Sequence, residues 1–325
     1  MQLDETLNKH SKAQDLDFEI ISNCTLCESD RLKTIYKSSD RHYGIKGEYT
    51  IDRCENCGLV FLNPMPTEKY LTSLYPDTYY AYQDFYGKRP SLIKKIYRNF
   101  LVKIKTHDPK FATPGRILDI GCGSGQFLYK MKQNGWEVYG VEVSASAANL
   151  GNELEQLNIH VGDLTTTKYE SGYFDYIRLN HSFEHIGNPH EVLDEINRII
   201  KPNGKLFIGV PNIDSFNAKL FKQYWWYLCP PVHTFNYSVS TLSQMLDKHG
   251  FVKEKVVYNG DYAGILGSIQ IYLNRKVKSN TTAYGPVLKN KILVVLAHQI
   301  ARIFNLLKIN DVQEIVSSKK VNVNS

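Results

Sequence analysis

The sequence opens with little apolar character. Its first residues, MQLDETLNKHSKAQDLDFEI, carry early acids and no apolar core of about seven residues, so they resemble no secretory signal and a cytoplasmic protein is expected. Long basic runs are also missing. With 39 basic and 33 acidic residues the formal charge is only +6, which gives no reason to expect a nucleic-acid partner. Internal repeats and low-complexity segments are absent, which argues against solenoids and tethers. Cysteine is scarce: of six, four fall in two C-x-x-C pairs, a pattern that suggests metal rather than a disulfide scaffold in a chain this long.

What is present divides the chain. Residues 1–20 are a polar tail, and 21–65 hold both cysteine pairs, the second leading into GLVFLNPMP, a short strand with a proline exit. Residues 66–110 open with a short helix, PTEKYLTSLYP, pass through TYYAYQDFY, and reach an amphipathic helix over 91–105. Residues 111–318 alternate short apolar strands (RILDI, EVYGVE, NIHVGD, YFDYIRLN, GKLFIGVPN) with helices near 124–134, 145–155 and 189–200, the mark of a doubly wound parallel α/β sheet. Within it, STLSQMLDKHG reads as a further helix, FVKEKVVY as a sixth strand and DVQEIVSSKK as a last one, while 319–325 is a polar tail.

In RILDIGCGSGQF, Asp119 closes a strand and Gly121, Gly123 and Gly125 lead into a helix. Glycines permit close backbone approach to a ligand, and a helix N-terminus favours negative charge. Glu142 ends the second strand 23 residues later, where a carboxylate can accept ribose hydroxyl hydrogens, and Asp163 follows the third, within reach of an adenine amino group. These motifs, with GVEVS, VGDL, FDYIRLNHSFEHI and LDEINRIIKPNGKLFIGVPN, resemble the class I S-adenosylmethionine-dependent methyltransferases over about residues 115–212. The resemblance implies a Rossmann-like fold in which Asp119 and the glycine loop hold the methionine portion, Glu142 the ribose, and Asp163 with Leu164 the adenine. It further places Cys122, Val143 and Asn180 along the cofactor, Cys122 as a small filler. A dehydrogenase fingerprint would space its last glycine differently, as G-x-G-x-x-G.

Cys24/Cys27 and Cys54/Cys57, 26 residues apart, can set four thiolates around Zn²⁺, and four protein ligands make such an ion structural. These pairs, the tyrosine-rich segment and WWYLCPPVHTFNYSVSTLSQMLDKHGF resemble a methyltransferase branch with an N-terminal zinc-binding domain, which includes C-methyltransferases of nucleotide-linked deoxysugars. The resemblance implies a zinc module over 21–65 and a methyltransferase domain over 111–318; the helical, aromatic linker over 66–110 is read as a lid, with Tyr79 and Tyr80 over the cofactor, or alternatively as a packing interface between the zinc module and the sheet. Within that domain, 213–249 would cover the substrate, and 263–309 is a helical insertion without a motif.

Methyl transfer needs the acceptor oriented and, where it keeps its proton at neutral pH, deprotonated; imidazoles titrate near that pH. His181, Glu184 and His185 in RLNHSFEHI leave the fourth strand beside the cofactor, and His233 sits in PPVHTF. All four are candidates for catalysis, each also readable as a packing residue. A hard cation prefers oxygen donors, so no catalytic metal is expected among them. The function expected is methyl transfer to carbon or oxygen of a small, sugar-linked acceptor. The alternatives are an rRNA or tRNA methyltransferase, against which NHSF stands where an N-P-P-Y-like turn would be, and a zinc-ribbon interaction protein with a vestigial transferase domain, against which stand the three intact acids. In KNKILVVLAHQIARIFNLLK the uncharged run spans only Ile292 to Ala301, far short of the roughly 20 residues of a spanning helix, so 286–308 is expected to pack on the domain or a dimer partner ahead of a membrane surface.

Overall fold

The structure is a computed structural model in which residues 17–74, 113–277 and 283–320 are described. The predicted helix over 91–105 and the tyrosines from 79 to 86, Tyr80 among them, lie outside the described residues.

The first unit is small and built around its cysteines. Strand β1 (Phe18–Glu19) precedes β2 (Leu32–Ser38), β3 (Tyr49–Cys54), β4 (Val60–Leu62) and β5 (Met65–Pro66), followed by helix α1 (Glu68–Ser73). Each C-x-x-C forms the same turn. The amide of Glu28 donates to the Cys24 carbonyl at 2.7 Å and that of Gly58 to the Cys54 carbonyl at 2.9 Å, with φ +63° and +85° at the two turn residues. A left-handed residue is needed at that place, and glycine meets the need at less steric cost than glutamate.

The main unit runs β6 (Arg116–Ile120), α2 (Gln126–Gln133), β7 (Glu137–Glu142), α3 (Ala145–Glu155), β8 (Ile159–Val161), β9 (Phe174–Asn180), α4 (Pro189–Ile199) and β10 (Ile200–Pro211). It continues through α5 (Phe216–Phe221), β11 (Phe235–Asn236), α6 (Val239–Lys248), β12 (Phe251–Tyr258), α7 (Tyr262–Leu273), α8 (Pro286–Lys289), α9 (Lys291–Leu306) and β13 (Val312–Lys319). The seven-stranded sheet has the order β12-β13-β10-β9-β6-β7-β8. From β8 to β10 it is parallel, as the alternating pattern predicts. It is not parallel throughout: β13 returns from α9 and inserts antiparallel between β10 and β12. The switch in strand order falls between β6 and β9, so the carboxyl ends of β6, β7 and β9 open onto one crevice.

Helix formation follows the sequence closely. Helix α4 takes Pro189 at its first position and buries Val192, Leu193, Ile196 and Ile199, spaced to face the sheet. Ser144 and Ser238 cap α3 and α6 by accepting from the amides of Ala147 and Thr241. A single core joins the units: Ile51, Leu59 and Phe61 pack in one cluster with Phe183, Val192, Phe235 and Tyr237.

Residues 222–237 tie the cysteine unit to the sheet. β11 extends the small sheet by pairing with β4, Phe235 opposite Phe61. Ser38 Oγ donates to the Gln223 carbonyl at 3.1 Å, and the His42 ring nitrogen Nε2 to the Trp226 carbonyl at 3.0 Å. Helix α9 is less covered, with Ile292, Leu296, Ile300, Ile303 and Leu306 exposed. Among the described residues no helix is long and apolar enough to cross a membrane.

Burial holds His42 below the ordinary histidine value, Asp40 opposing it. A lowered folded value means that the stability contributed by neutral His42 is complete above about pH 6.5 and is lost as pH falls from there toward the folded value. Melting temperature should therefore fall on acidification below pH 6.5, and less steeply in His42→Gln; parallel profiles for the two proteins would remove His42 from that account.

Candidate active site

The crevice at the strand ends is a cavity of about 470 Å³, a size suited to a small-molecule ligand. The glycine loop forms its floor. Gly121, Gly123 and Gly125 all have left-handed backbones, at φ +72°, +55° and +79°. A Cβ on Gly121 would lie 2.5 Å from the Ser182 Cβ, so the loop must be bare there to let the end of β9 close against it. Ser182 Oγ completes that contact by donating to the Ile120 carbonyl at 2.8 Å.

Glu142 shapes the loop as well as facing the cavity. One carboxylate oxygen accepts the Gly123 amide at 2.7 Å and the other the Ser144 amide at 2.9 Å. Burial outweighs these bonds and raises its carboxyl above the usual range. Asp163 caps the short turn at Leu164 by accepting the Thr165 amide at 2.7 Å, and both residues line the cavity. Val143, Cys122, Gly121, Gly123 and Asn180 line it too, whereas Gly125 does not. The Cys122 sulfur packs over Gly140, where a Cβ would come within 2.7 Å of it, so the side chain acts as filler.

Asp119 holds a partner that the sequence pattern did not supply. It is 1 % exposed, and Arg178 Nη1 donates to both of its oxygens, at 2.8 and 2.9 Å. The guanidinium also stacks over the Phe127 ring, 4.1 Å from its centroid. Burial still raises Asp119, with Arg178 opposing. The signal was available, because Arg178 is the one cation inside the apolar run YFDYIRLN. Glu68 and Leu71 of α1 also line the cavity, and nothing in their helical spacing marks them for it.

The four catalytic candidates separate. His181 and His185 line the cavity; Glu184 and His233 do not, being 1 % and 8 % exposed. Of the three polar side chains His181, Glu184 and His185 expected near the reactive methyl, only the two histidines line the cavity: a one-turn helix over Phe183–His185 turns Glu184 into the core. His181 leaves β9 at φ +54°, a left-handed conformation rare outside glycine, while its amide still donates to the Gly209 carbonyl of β10 at 2.8 Å. Its Nδ1 faces Glu184 Oε1 at 3.4 Å. Burial would lower His181, but the Glu184 carboxylate outweighs it and holds the imidazole above its ordinary value. His185 and His233 are lowered by burial, His233 to about 3 with His185 adding to the effect. Their rings meet edge to face, 4.6 Å between centroids.

In the small unit the four sulfurs of Cys24, Cys27, Cys54 and Cys57 lie within 4.8 Å of one another, with 3.5 Å between Cys24 and Cys57 and between Cys27 and Cys54. All four thiols are free. Burial would raise Cys27, yet the Asn56 amide and nearby backbone outweigh it and bring the thiol down to about 6.

Residues 87–256, just over half the chain, match the family model of a methyltransferase domain. The chain belongs to that family. Its fold is that of a class I S-adenosylmethionine-dependent methyltransferase. It is 28 % identical over 128 residues to an uncharacterized protein of Methanocaldococcus jannaschii, covering 39 % of this chain and 58 % of that one. It is 30 % identical over 126 residues to the ubiquinone biosynthesis O-methyltransferase of Coxiella burnetii, covering 37 % and 53 %. The chain thus spans about half the length of the curated relatives it matches. Among solved structures, an S-adenosylmethionine-dependent methyltransferase from Archaeoglobus fulgidus aligns with a TM-score of 0.44 at 21 % identity, over 70 % of this chain and 93 % of that one.

The donor set fits the family's cofactor: acids at the ends of β6 and β7 and after β8 surround a floor of bare glycine backbone. Glu142→Ala should reduce S-adenosylmethionine affinity at least tenfold by calorimetry, because it releases the Gly123 amide and removes the carboxylate that the family resemblance leads one to expect at the ribose. Unchanged affinity would sink the assignment.

Proposed function

We propose that the protein transfers a methyl group from S-adenosylmethionine to an oxygen or carbon of a sugar-linked small molecule, with His181 as the general base. The observation that carries this is the placement of His181. It is turned by a left-handed backbone into the cavity wall, with a buried carboxylate behind its Nδ1. Such a pair has a definite polarity. Nδ1–H directed at Glu184 leaves Nε2 to take the acceptor's proton, and the carboxylate then stabilises the imidazolium.

Bound S-adenosylmethionine supplies an electrophilic methyl carried on a sulfonium. Asp119 with Arg178, Glu142, and Asp163 with Leu164 would hold its methionine, ribose and adenine portions in turn. As the acceptor's bond to the methyl carbon forms and the carbon–sulfur bond breaks, the acceptor's proton passes to His181 Nε2. Asn180, Ser182 and His185 stand on the same wall, offering polar groups suited to a hydroxyl-rich acceptor. This polarity favours a sugar, as does the resemblance of the cysteine unit and of residues 225–251 to sugar-modifying relatives. His185 and His233 are less suited to the base role, since burial lowers both and the Nδ1 of each faces a neutral backbone carbonyl, Val232 and Tyr227 respectively, at 2.8 Å, rather than a carboxylate that would stabilise an imidazolium.

The cysteine cluster we read as a structural zinc site. Four sulfurs converge from two matched turns, leaving no coordination position for a substrate.

Screening nucleotide sugars with methyl-labelled cofactor should find an acceptor that takes up label. His181→Ala should cut that turnover by roughly 10²-fold or more while cofactor affinity holds. Full turnover in His181→Ala would move the base elsewhere. Elemental analysis should find one zinc per chain, lost together with thermal stability in Cys54→Ser. A metal-free wild-type protein of normal stability would refute the zinc reading.

A further inference from the structure

Glu184 poses a physical problem that His181 does not solve. The carboxylate is 1 % exposed, and neither oxygen has a hydrogen-bond donor among the described residues. Enclosing an ionised carboxylate without donors costs several kcal/mol, so such groups are paired, hydrogen-bonded or bound to metal. His181 faces one oxygen, at 3.4 Å, an ion-pair distance rather than a short hydrogen bond.

Two more groups converge on it. Ligand atoms of Glu184, His185 and His233 all lie within 4.8 Å of one another, close enough for one ion to bridge them. Sequence spacing could not reveal this triad, because His233 arrives from a segment 48 residues beyond His185. The imidazoles are also oriented as ligands would be. His185 Nδ1 lies 2.8 Å from the Val232 carbonyl and His233 Nδ1 2.8 Å from the Tyr227 carbonyl. A carbonyl can only accept, so both protons sit on Nδ1 and in the neutral rings the lone pair belongs to Nε2. Metal-binding histidines are characteristically fixed in this way by an outer acceptor.

We propose that Glu184, His185 and His233 bind one divalent first-row transition metal ion through a carboxylate oxygen and two Nε2 atoms. Two imidazoles and one carboxylate suit zinc, cobalt or iron better than magnesium or calcium, which favour oxygen donors throughout. Three protein ligands leave coordination positions open. His185 belongs both to this triad and to the cavity wall, so the ion adjoins the acceptor side. There it would act as a Lewis acid on an acceptor oxygen, lowering its pKa so that His181 can take the proton. That last role rests on the transferase reading above; ion binding does not.

The test is a Co²⁺ titration of the full-length protein, carrying its own cysteine-bound metal and no acceptor. One equivalent should bind with weak visible d–d absorption and without the intense near-ultraviolet thiolate bands that cobalt in the cysteine cluster would give. Affinity should fall at least tenfold in Glu184→Gln and in His233→Ala, each shown to be folded by its affinity for S-adenosylmethionine; His233→Asn replaces His233→Ala should the latter not fold. The proposal is overturned by the absence of a stoichiometric non-thiolate cobalt site in the wild-type protein, or by a site whose affinity these substitutions leave unchanged. Turnover on a nucleotide sugar by a protein that binds no cobalt would overturn the ion alone. Cobalt binding with no turnover on any nucleotide sugar would leave the ion standing and overturn the acceptor reading.

Discussion

The backbone of Thr234 is the joint on which the site depends. Its amide donates to the Glu184 carbonyl at 2.9 Å, its hydroxyl contacts the Glu184 and Ile186 carbonyls at 3.0 and 3.2 Å, and its own carbonyl accepts the Leu62 amide at 2.9 Å. One buried residue thereby links the cysteine unit, the loop after β9 and the segment carrying His233. Each such bond contributes about 0.5–1.5 kcal/mol net, but an unmet buried carbonyl costs more than a made bond gains, so the three elements hold or release together. The small unit is in this sense part of the site. It supplies β4, β4 supplies the edge on which β11 pairs, and that pairing sets where His233 lies.

This gives the proposed zinc a reach beyond its own knuckles. The first turn that gathers the sulfurs precedes β2 and the second starts at the end of β3, which pairs with β2 and is the strand on which β4 registers, Ile51 opposite Leu62. Loosening the cysteines would loosen that ladder and, through Leu62, the Thr234 contacts. His190 makes a second link, its Nε2 2.9 Å from the Thr25 carbonyl inside the first knuckle and its Nδ1 2.7 Å from His249. Lys248 of α6 adds another, its Nζ donating to the Leu26 carbonyl at 3.3 Å, so two helices of the main unit hold the first knuckle.

Most of the sheet was legible because its strands are short apolar runs bounded by glycine, proline or a capping serine, and such local signals survive folding. The glycine loop and the acids of β6 and β7 were legible for the same reason: strand, turn and helix follow one another within a dozen residues. Three features were not. The antiparallel insertion of β13 is a matter of long-range pairing, and VQEIVSSK reads the same in either direction. Arg178 was visible as an isolated cation, but its pairing with Asp119 crosses between neighbouring strands. The inward rotation of Glu184 depends on a single turn of helix in NHSFEHI, too short for any periodicity to show.

That rotation decides how the chemistry is arranged. Had the strand continued, alternation would have sent His181 and Glu184 to opposite faces, and no carboxylate could have stood behind the imidazole. The left-handed residue at His181 breaks the alternation and the following turn brings Glu184 back beneath it, so a strained backbone creates the acid–histidine pair. The same turn places His185 on the cavity wall with its Nδ1 held by Val232, leaving Glu184 between His181 on one side and His185 with His233 on the other. A carboxylate so placed can steady a base with one oxygen and an ion with the other, and its burial keeps water from weakening either interaction. On the proposed reading, the cost of enclosing it is offset by the base and the ion at once.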